Sequence, residues 1–496
     1  MSTPPGHLSA TEIRVWQAYR RGERLDLSTG VPADDDPRLG AGWGPDRTIR
    51  AQVLAQVLLQ PPEAEPGHST ALRITGARVV GPLELGSARL DVYLSMIGCR
   101  FEDEILLNVA SIRTVNLRGC VLTALHGRNM RVDGDLVLHG CEVANGVRIP
   151  DARIDNDLRL DDCVIGPDRH GGALHAKGLQ VGADSSLDNT VFAGQVTLYG
   201  GRFGGRVTLY GSTVERPGQL AMDLGRITVE HSLHLSVGFT ATGSIRLNDA
   251  RLGGGLVLSR AVVCANPGEQ LTMWRVVAEG LHMALARPPR GRIVLAGATI
   301  GTLTDAPDTW PAPGDLVLAG TRYATLRSEG PISVDRRIDW VERGTAEYTP
   351  QPYDQLAGAY RAAGEDDQAR TVLLAKQRRR RAGLGPAGRL WGHVQDLAIG
   401  YGYRPARAFG WLVALIAVGT AVFAVDPPAP LKPGEAPHWN PFWYTLDLLL
   451  PVVTLGQDSA WKPTGAGQWL AYTLILLGWV LAGAAAAGAG RVLNRA

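Results

Sequence analysis

Two hydrophobic periods run through this chain, and the longer one organises it. Between Gly81 and Ile165 the cysteines Cys99, Cys120, Cys141 and Cys163 are spaced 21, 21 and 22 residues apart. An apolar side chain follows each by two positions: Phe101, Leu122, Val143 and Ile165. Halfway between them stand Ala88, Ala110, Met130 and Ala152, with the same kind of partner two residues on. Within a unit such as Gly134-Asp-Leu-Val-Leu-His-Gly-Cys141-Glu-Val143, apolar and polar positions alternate, which is the period of a strand. A small residue returning every 10 to 11 positions predicts a coil of 21 to 22 residues stacked on itself as a solenoid. The unit recurs from Gly314 to Tyr323, and twice in succession from Gly194 to Val214. Its register is disturbed near Gly166 to Gly172, Glu215 to Gln219, Asn266 to Gln270 and Pro288-Pro289, which predicts loops inserted on one side of the coil. The array is expected over residues 71–323 as about ten to twelve coils, a rod on the order of 50 Å at about 4.8 Å per coil.

The stretches Ala88-Arg-Leu90, Cys99-Arg-Phe101 and Cys120-Val-Leu122 put a small residue two positions before Leu or Phe. This resembles the pentapeptide-repeat family, whose pattern is A(D/N)LXX. The resemblance covers about half the chain and implies a mainly β fold, a right-handed four-sided β-helix. The chain departs from the family by running 21 to 22 residues per coil instead of 20, with few Asp/Asn positions filled, so a looser related β-helix fits the same pattern.

Helical periods flank the strand pattern. Residues 1–70 read as an N-terminal helical cap: Ser9 and Glu12 make a capping box before Ile13, Trp16 and Tyr19, and Gly22 ends the helix. A second helix is predicted from Asp46, with Ile49, Val53 and Val57 on one side, stopped by Pro61-Pro62. Residues 324–403 read as a helical neck. Its helices from Tyr353 to Gly364 and from Glu365 to Arg381 resemble one hairpin of the tetratricopeptide kind, and Pro386 to Ile399 is a third helix. Residues 404–496 read as a two-span membrane module. Ala408 to Val425 is 18 residues without a charge and Trp469 to Gly490 is 22, each long enough for a span. Trp411, Trp439, Trp443, Tyr444 and Trp469 supply interfacial aromatics. Arg389, Arg404 and Arg407 precede the first span and Arg491 and Arg495 follow the second, against Lys432 and Lys462 between them. The positive-inside rule then puts the N-terminus, the solenoid and the C-terminus in the cytoplasm, with a multi-pass anchor in the inner membrane.

Between the spans, Pro441 to Leu450 is a short apolar helix followed by Thr454-Leu455-Gly456-Gln457-Asp458. Two spans around a short helix and a Thr-x-Gly turn resemble the pore domain of two-span potassium channels, whose filter carbonyls replace the ion's water shell. Segment 441–458 is then re-entrant. Thr454, Gly456 and Asp458 match the filter motif, but Gln457 stands where the filter has Tyr and the second Gly is missing, so potassium selectivity does not follow. A pore needs several chains. Gly478, Gly483, Gly488 and Gly490 in the second span permit close helix contacts and support a homo-oligomer.

Composition removes several function classes. A net charge of +2 gives no global field for nucleic acid. Only four of 50 basic residues are lysine, a bias that points to a GC-rich bacterial genome. No apolar h-region of a cleavable signal is evident near the start. Five cysteines do not make a disulfide framework and suit a reducing compartment. The four of the ladder, stacked in a straight line, are not tetrahedral, so they read as core rather than as a zinc site. Gly383 to Gly388 fits GxGxxG but follows an Arg-rich helix instead of a strand, and no lysine completes a Walker loop. His231 and His234, three apart in a strand pattern, point to opposite faces. Arg378, Arg379, Arg380 and Arg381 end a helix about 27 residues before a span, where anionic lipid headgroups would meet them.

No catalytic, cofactor-binding or metal-binding residue is expected. The leading expectation is a non-enzymatic recognition or scaffold module on a membrane anchor, with a protein ligand on the solenoid surface. The alternative is an oligomeric channel-like pore gated by the solenoid. A third, the membrane-associated oxidoreductase that chains of this look are sometimes labelled, has no motif behind it.

Overall fold

The corners of the coil explain the spacing of the small residues. Where an extended chain turns sharply it uses a left-handed residue, and each coil has two. One corner column is Gly76, Gly98, Gly119 and Gly140, at φ 69, 56, 56 and 63°. The other is Ser87, Val109, Asn129 and Asp151, at φ 60, 63, 53 and 55°. Directly after the first column come the buried Ala77, Cys99, Cys120 and Cys141, and after the second the buried Ala88, Ala110, Met130 and Ala152. A short strand then points one residue outward and the next inward. The 10-to-11-residue period is half a coil.

In this computed structural model, residues 7–344, 348–383, 385–386, 405–432, 434, 437–450 and 453–493 are described. Short strands pair in parallel with their counterparts in the coils before and after, building a 19-stranded and an 18-stranded sheet over about 12 turns. Each sheet holds two columns of strands, so a coil has four sides. Inward positions stack on themselves: Leu90, Ile112, Val132, Ile154, Val181 and Phe203 form one buried file. The four interruptions all fall between the two columns of the 18-stranded sheet. They precede Gly172–His175, lie within Thr213–Asp223, and precede Gln270–Thr272 and Arg292–Val294.

The array starts earlier than expected. Arg24–Asp26 pairs with Arg73 to Thr75, and Thr48–Arg50 with Arg78 to Val80, so the N-terminal segment supplies rungs of its own. Helix α1 (Ala10–Arg21) carries the Ser9/Glu12 capping box and ends at left-handed Gly22. Helix α2 (Ala51–Leu59) begins five residues after Asp46, because Thr48-Ile49-Arg50 alternates as a strand with only Ile49 buried. At the far end, strand Arg322–Ser328 is covered by α3 (Val334–Arg343) and by the start of α4 (Gln351–Ala362). The Gln351 and Gln355 side-chain amides donate to the Thr321 and Tyr323 carbonyls at 2.7 and 2.6 Å. Trp340 is buried beside Trp310 and Tyr323. Buried Arg337 clamps buried Asp305 with two hydrogen bonds, at 2.5 and 2.8 Å, so the pair is fully matched.

The chain divides into two compact units, residues 1–355 and 356–496. The second contains α5 (Asp366–Ala382), α6 (Pro405–Val425), the short α7 (Pro441–Leu449) and α8 (Gly465–Leu493). Helices α6, α7 and α8 pack around Phe423, Tyr444, Leu448, Leu449, Ala471 and Leu474. Among the described residues one helix, not two, is long and apolar enough to cross a membrane, over Gly465 to Ala482 of α8. The first expected span is a shorter apolar stretch, Phe409–Val425, whose 17 residues rise about 25 Å against a hydrocarbon core of about 30 Å. The expected helix from Pro386 to Ile399, and most of the GxGxxG stretch, lie outside the described residues.

Candidate functional site

The pore-like turn is built from α7 outward. Asn440 caps the helix, its side-chain oxygen accepting from the Phe442 and Trp443 amides, and Pro441 fits the first turn. Asp447 sits in the last turn of α7, 6% exposed. Its carboxylate accepts from the backbone N–H groups of Leu455 and Gln457, both at 2.6 Å, and of Asp458 at 2.9 Å. Gly456 reverses the chain between them at φ 76°. Residues 454–458 therefore fold around a buried acid with three charge-assisted hydrogen bonds. Sequence reasoning chose the turn and missed Asp447, although a lone acid within the apolar run Phe442 to Leu450 was the signal. Thr454, Leu455, Gly456 and Asp458 are exposed, and Gln457 is half-buried.

Small residues near this turn are used inside the chain. A Cβ on Gly478 would stand 2.3 Å from the Leu449 carbonyl, so α8 and α7 meet through bare backbone at this point. The close contact expected at Gly478 between subunits is thus made within one chain. Arg378 to Arg381 form the end of α5, where the helix dipole favours cations. Arg378, Arg379 and Arg380 are exposed there.

The solenoid shows a second constellation. Paired rungs bring Arg89, Ser111, Arg131, Arg153, Gln180, Arg202, Thr228, Arg251, Val277, Thr299 and Arg322 into one outward column. All six arginines of the column are exposed. Two positions along the same strands stand Asp91, Asp133, Asp155, Glu230 and Glu279, and Arg153 bonds Asp155 at 2.6 Å. Two open grooves follow the column. One of 690 Å³ runs past Arg89, Arg131 and Arg153; one of 340 Å³ runs past Arg153 and Arg202, and both touch Gln180. In the sequence these arginines are 42, 22, 49, 49 and 71 residues apart; the first two steps are whole coils, and insertions hide the alignment beyond Arg153 until the coils are stacked.

The cysteine ladder is packing with a polar edge. Cys120, Cys141 and Cys163 lie buried with their sulfurs 3.4, 3.4 and 3.0 Å from the carbonyls of Met96, Leu117 and Leu138. The next two rungs are Thr190 and Ser212, whose hydroxyls donate to the equivalent carbonyls of Leu160 and Leu187. Burial and the neighbouring thiols push Cys120 up, and burial pushes Cys264 up to about 12, which keeps both protonated. All five cysteines are free. Among the described residues no group of three or more His, Cys, Asp or Glu is arranged to hold a metal ion.

No protein-family description, curated protein or solved structure matches this chain.

Proposed function

We propose that this chain is a membrane-anchored recognition module: a right-handed, pentapeptide-repeat-like β-helix in the cytoplasm, held by a two-span, oligomerising hairpin, with no catalysis of its own. The observation that carries the reading is the outward side of α6 and α8. Phe409, Trp411, Val418, Trp469, Leu476 and Trp479 are all exposed on helices that already bury a core among themselves. Apolar and aromatic surface of that extent is what lipid covers. The test is fractionation of the full chain. Retention in the membrane pellet after carbonate washing, lost when Val418→Lys and Leu476→Lys are combined, supports the anchor; recovery of the unaltered chain in the soluble fraction sinks it.

A second reading is favoured by the Asp447-held turn. A short helix between two apolar helices, ending in a turn of defined shape, suits a channel-like pore assembled from several chains and gated by the solenoid. Reconstituted bilayers test it. Conductance abolished by Asp447→Ala supports the pore, whereas a silent bilayer from oligomeric protein removes it.

A further inference from the structure

We infer that the wider groove on the arginine column binds an extended acidic polypeptide. The inference rests on the reading of the solenoid as a recognition surface and names what that surface takes. Arg131 and Arg153 occupy adjacent rungs and Arg89 stands two rungs before Arg131. At about 4.8 Å per rung, their Cα atoms repeat along the axis at about 5 and 10 Å. Among the described residues neither Arg89 nor Arg131 makes an ion pair, so each has a planar fork of donors available for a carboxylate. An extended peptide advances about 3.3 Å per residue, so acids two or three positions apart reach successive arginines.

The groove's rim supports side-chain recognition. Ser87, Val109, Asn129 and Asp151 form it in the left-handed conformation, at φ 60, 63, 53 and 55°. The corresponding corner across the coil uses glycine on three successive rungs, Gly98, Gly119 and Gly140, where no side chain is displayed. On these rungs the groove-side corner displays side chains where the opposite one does not, although Asp162 and Asn189 fill that opposite corner on the rungs beyond. The identity of the occupant follows from what lines the groove. Asp151 interrupts the cationic strip, which repels a polyphosphate charged at every repeat but accepts a peptide that sets a neutral residue there. No aromatic ring lines the groove for bases to stack on. Ser111, Asn129 and Gln180 offer hydroxyl and amide groups to a peptide backbone.

The test uses the full chain in detergent micelles and a fluorescein-labelled dodecamer of glutamate, followed by anisotropy. Saturable binding is expected, weakened tenfold or more in Arg131→Ser/Arg153→Ser and largely kept in Arg131→Lys. An Arg379→Ser/Arg380→Ser variant, altered on α5, binds as the unaltered chain. An unchanged melting temperature confirms that the variants fold. The proposal is overturned by absence of peptide binding, by equal binding to the double-serine variant, or by tighter binding of an oligothymidine of equal charge. Carbonate-resistant membrane retention of the same chain, measured before it is solubilised, tells failure of this site from failure of the anchored-module reading.

Discussion

The solenoid and the helical unit solve opposite problems with the same residue types. In the solenoid the inward files are mostly apolar and the outward files mostly polar, with a few exposed large apolar residues such as Val109, Val164 and Val237. In the helical unit a small core is enclosed by α6, α7 and α8, while tryptophans and branched residues face away from it. The solenoid's outer surface is written for water, and its information lies in which polar residues share a column. On α6 and α8 of the helical unit the outer surface is largely apolar, and the information there lies in the few polar groups the packed helices bury. Asp447 in one unit and the arginine column in the other are the features each rule isolates.

The contrast breaks most directly at two apolar residues. Phe203 is 1% exposed in the solenoid and Leu476 is 66% exposed on α8. Phe203→Ala is expected to cost about 3–5 kcal/mol, because the file between Val181 and Val229 cannot close over the cavity. Leu476→Ala should leave unfolding within about 0.5 kcal/mol of the unaltered chain. Urea titrations followed by far-ultraviolet circular dichroism read both, and equal losses would erase the distinction between the two surfaces. Next in size is Asp447→Asn. It removes the charge from three hydrogen bonds and turns an amide toward N–H donors, for a local loss of about 2–3 kcal/mol. Limited proteolysis between 453 and 464 should then speed up markedly, while the solenoid stays resistant.

Much of the first unit was legible because its period is covalent. The Cys99-to-Cys163 spacing gave the coil length, and the disturbed register located the four insertions on one edge. What stayed hidden depended on stacking. Arg153, Arg202 and Arg322 look unrelated along the chain until each insertion is placed outside the coil. The early rungs Arg24–Asp26 and Thr48–Arg50 are too short to show a period beside strong helix signals. In the second unit, length and hydropathy gave the helices, and Gly456 marked the turn. The role of Asp447 needed the backbone of residues 455–458 folded onto it, which no local spacing encodes.

A smaller effect sharpens the comparison through pH. Glu12 closes the capping box of α1 while Arg50 bonds its carboxylate. Burial alone would raise this group, but the Arg50 side chain and the Ser9 and Arg50 amides bring it down to about 2. A folded-state value below the usual 4.5 means the contribution is fully present above that pH and is lost as pH falls toward about 2. The start of the solenoid should therefore loosen over that window. Glu12→Gln should show the loosened state already at neutral pH and lose that part of the acid response, read by hydrogen exchange in α1.

The smallest expected change is Cys163→Ser. In an ordinary apolar core a hydroxyl in place of a thiol would be left without a partner. This ladder offers one, because the carbonyl of Leu138 already lies 3.0 Å from the Cys163 sulfur. The chain makes the same replacement two rungs later, where the Ser212 hydroxyl donates to the Leu187 carbonyl at 2.6 Å. The Cys163 backbone N–H also bonds the Thr190 hydroxyl at 3.1 Å, so the rung is tied to a hydroxyl neighbour on its far side. Cys163→Ser should accordingly change stability by less than about 1 kcal/mol, while Cys163→Leu, which overfills the file, should cost about 1–3 kcal/mol. A loss from serine as large as that from leucine would show that sulfur itself, rather than a small donor at the corner, is what the ladder requires.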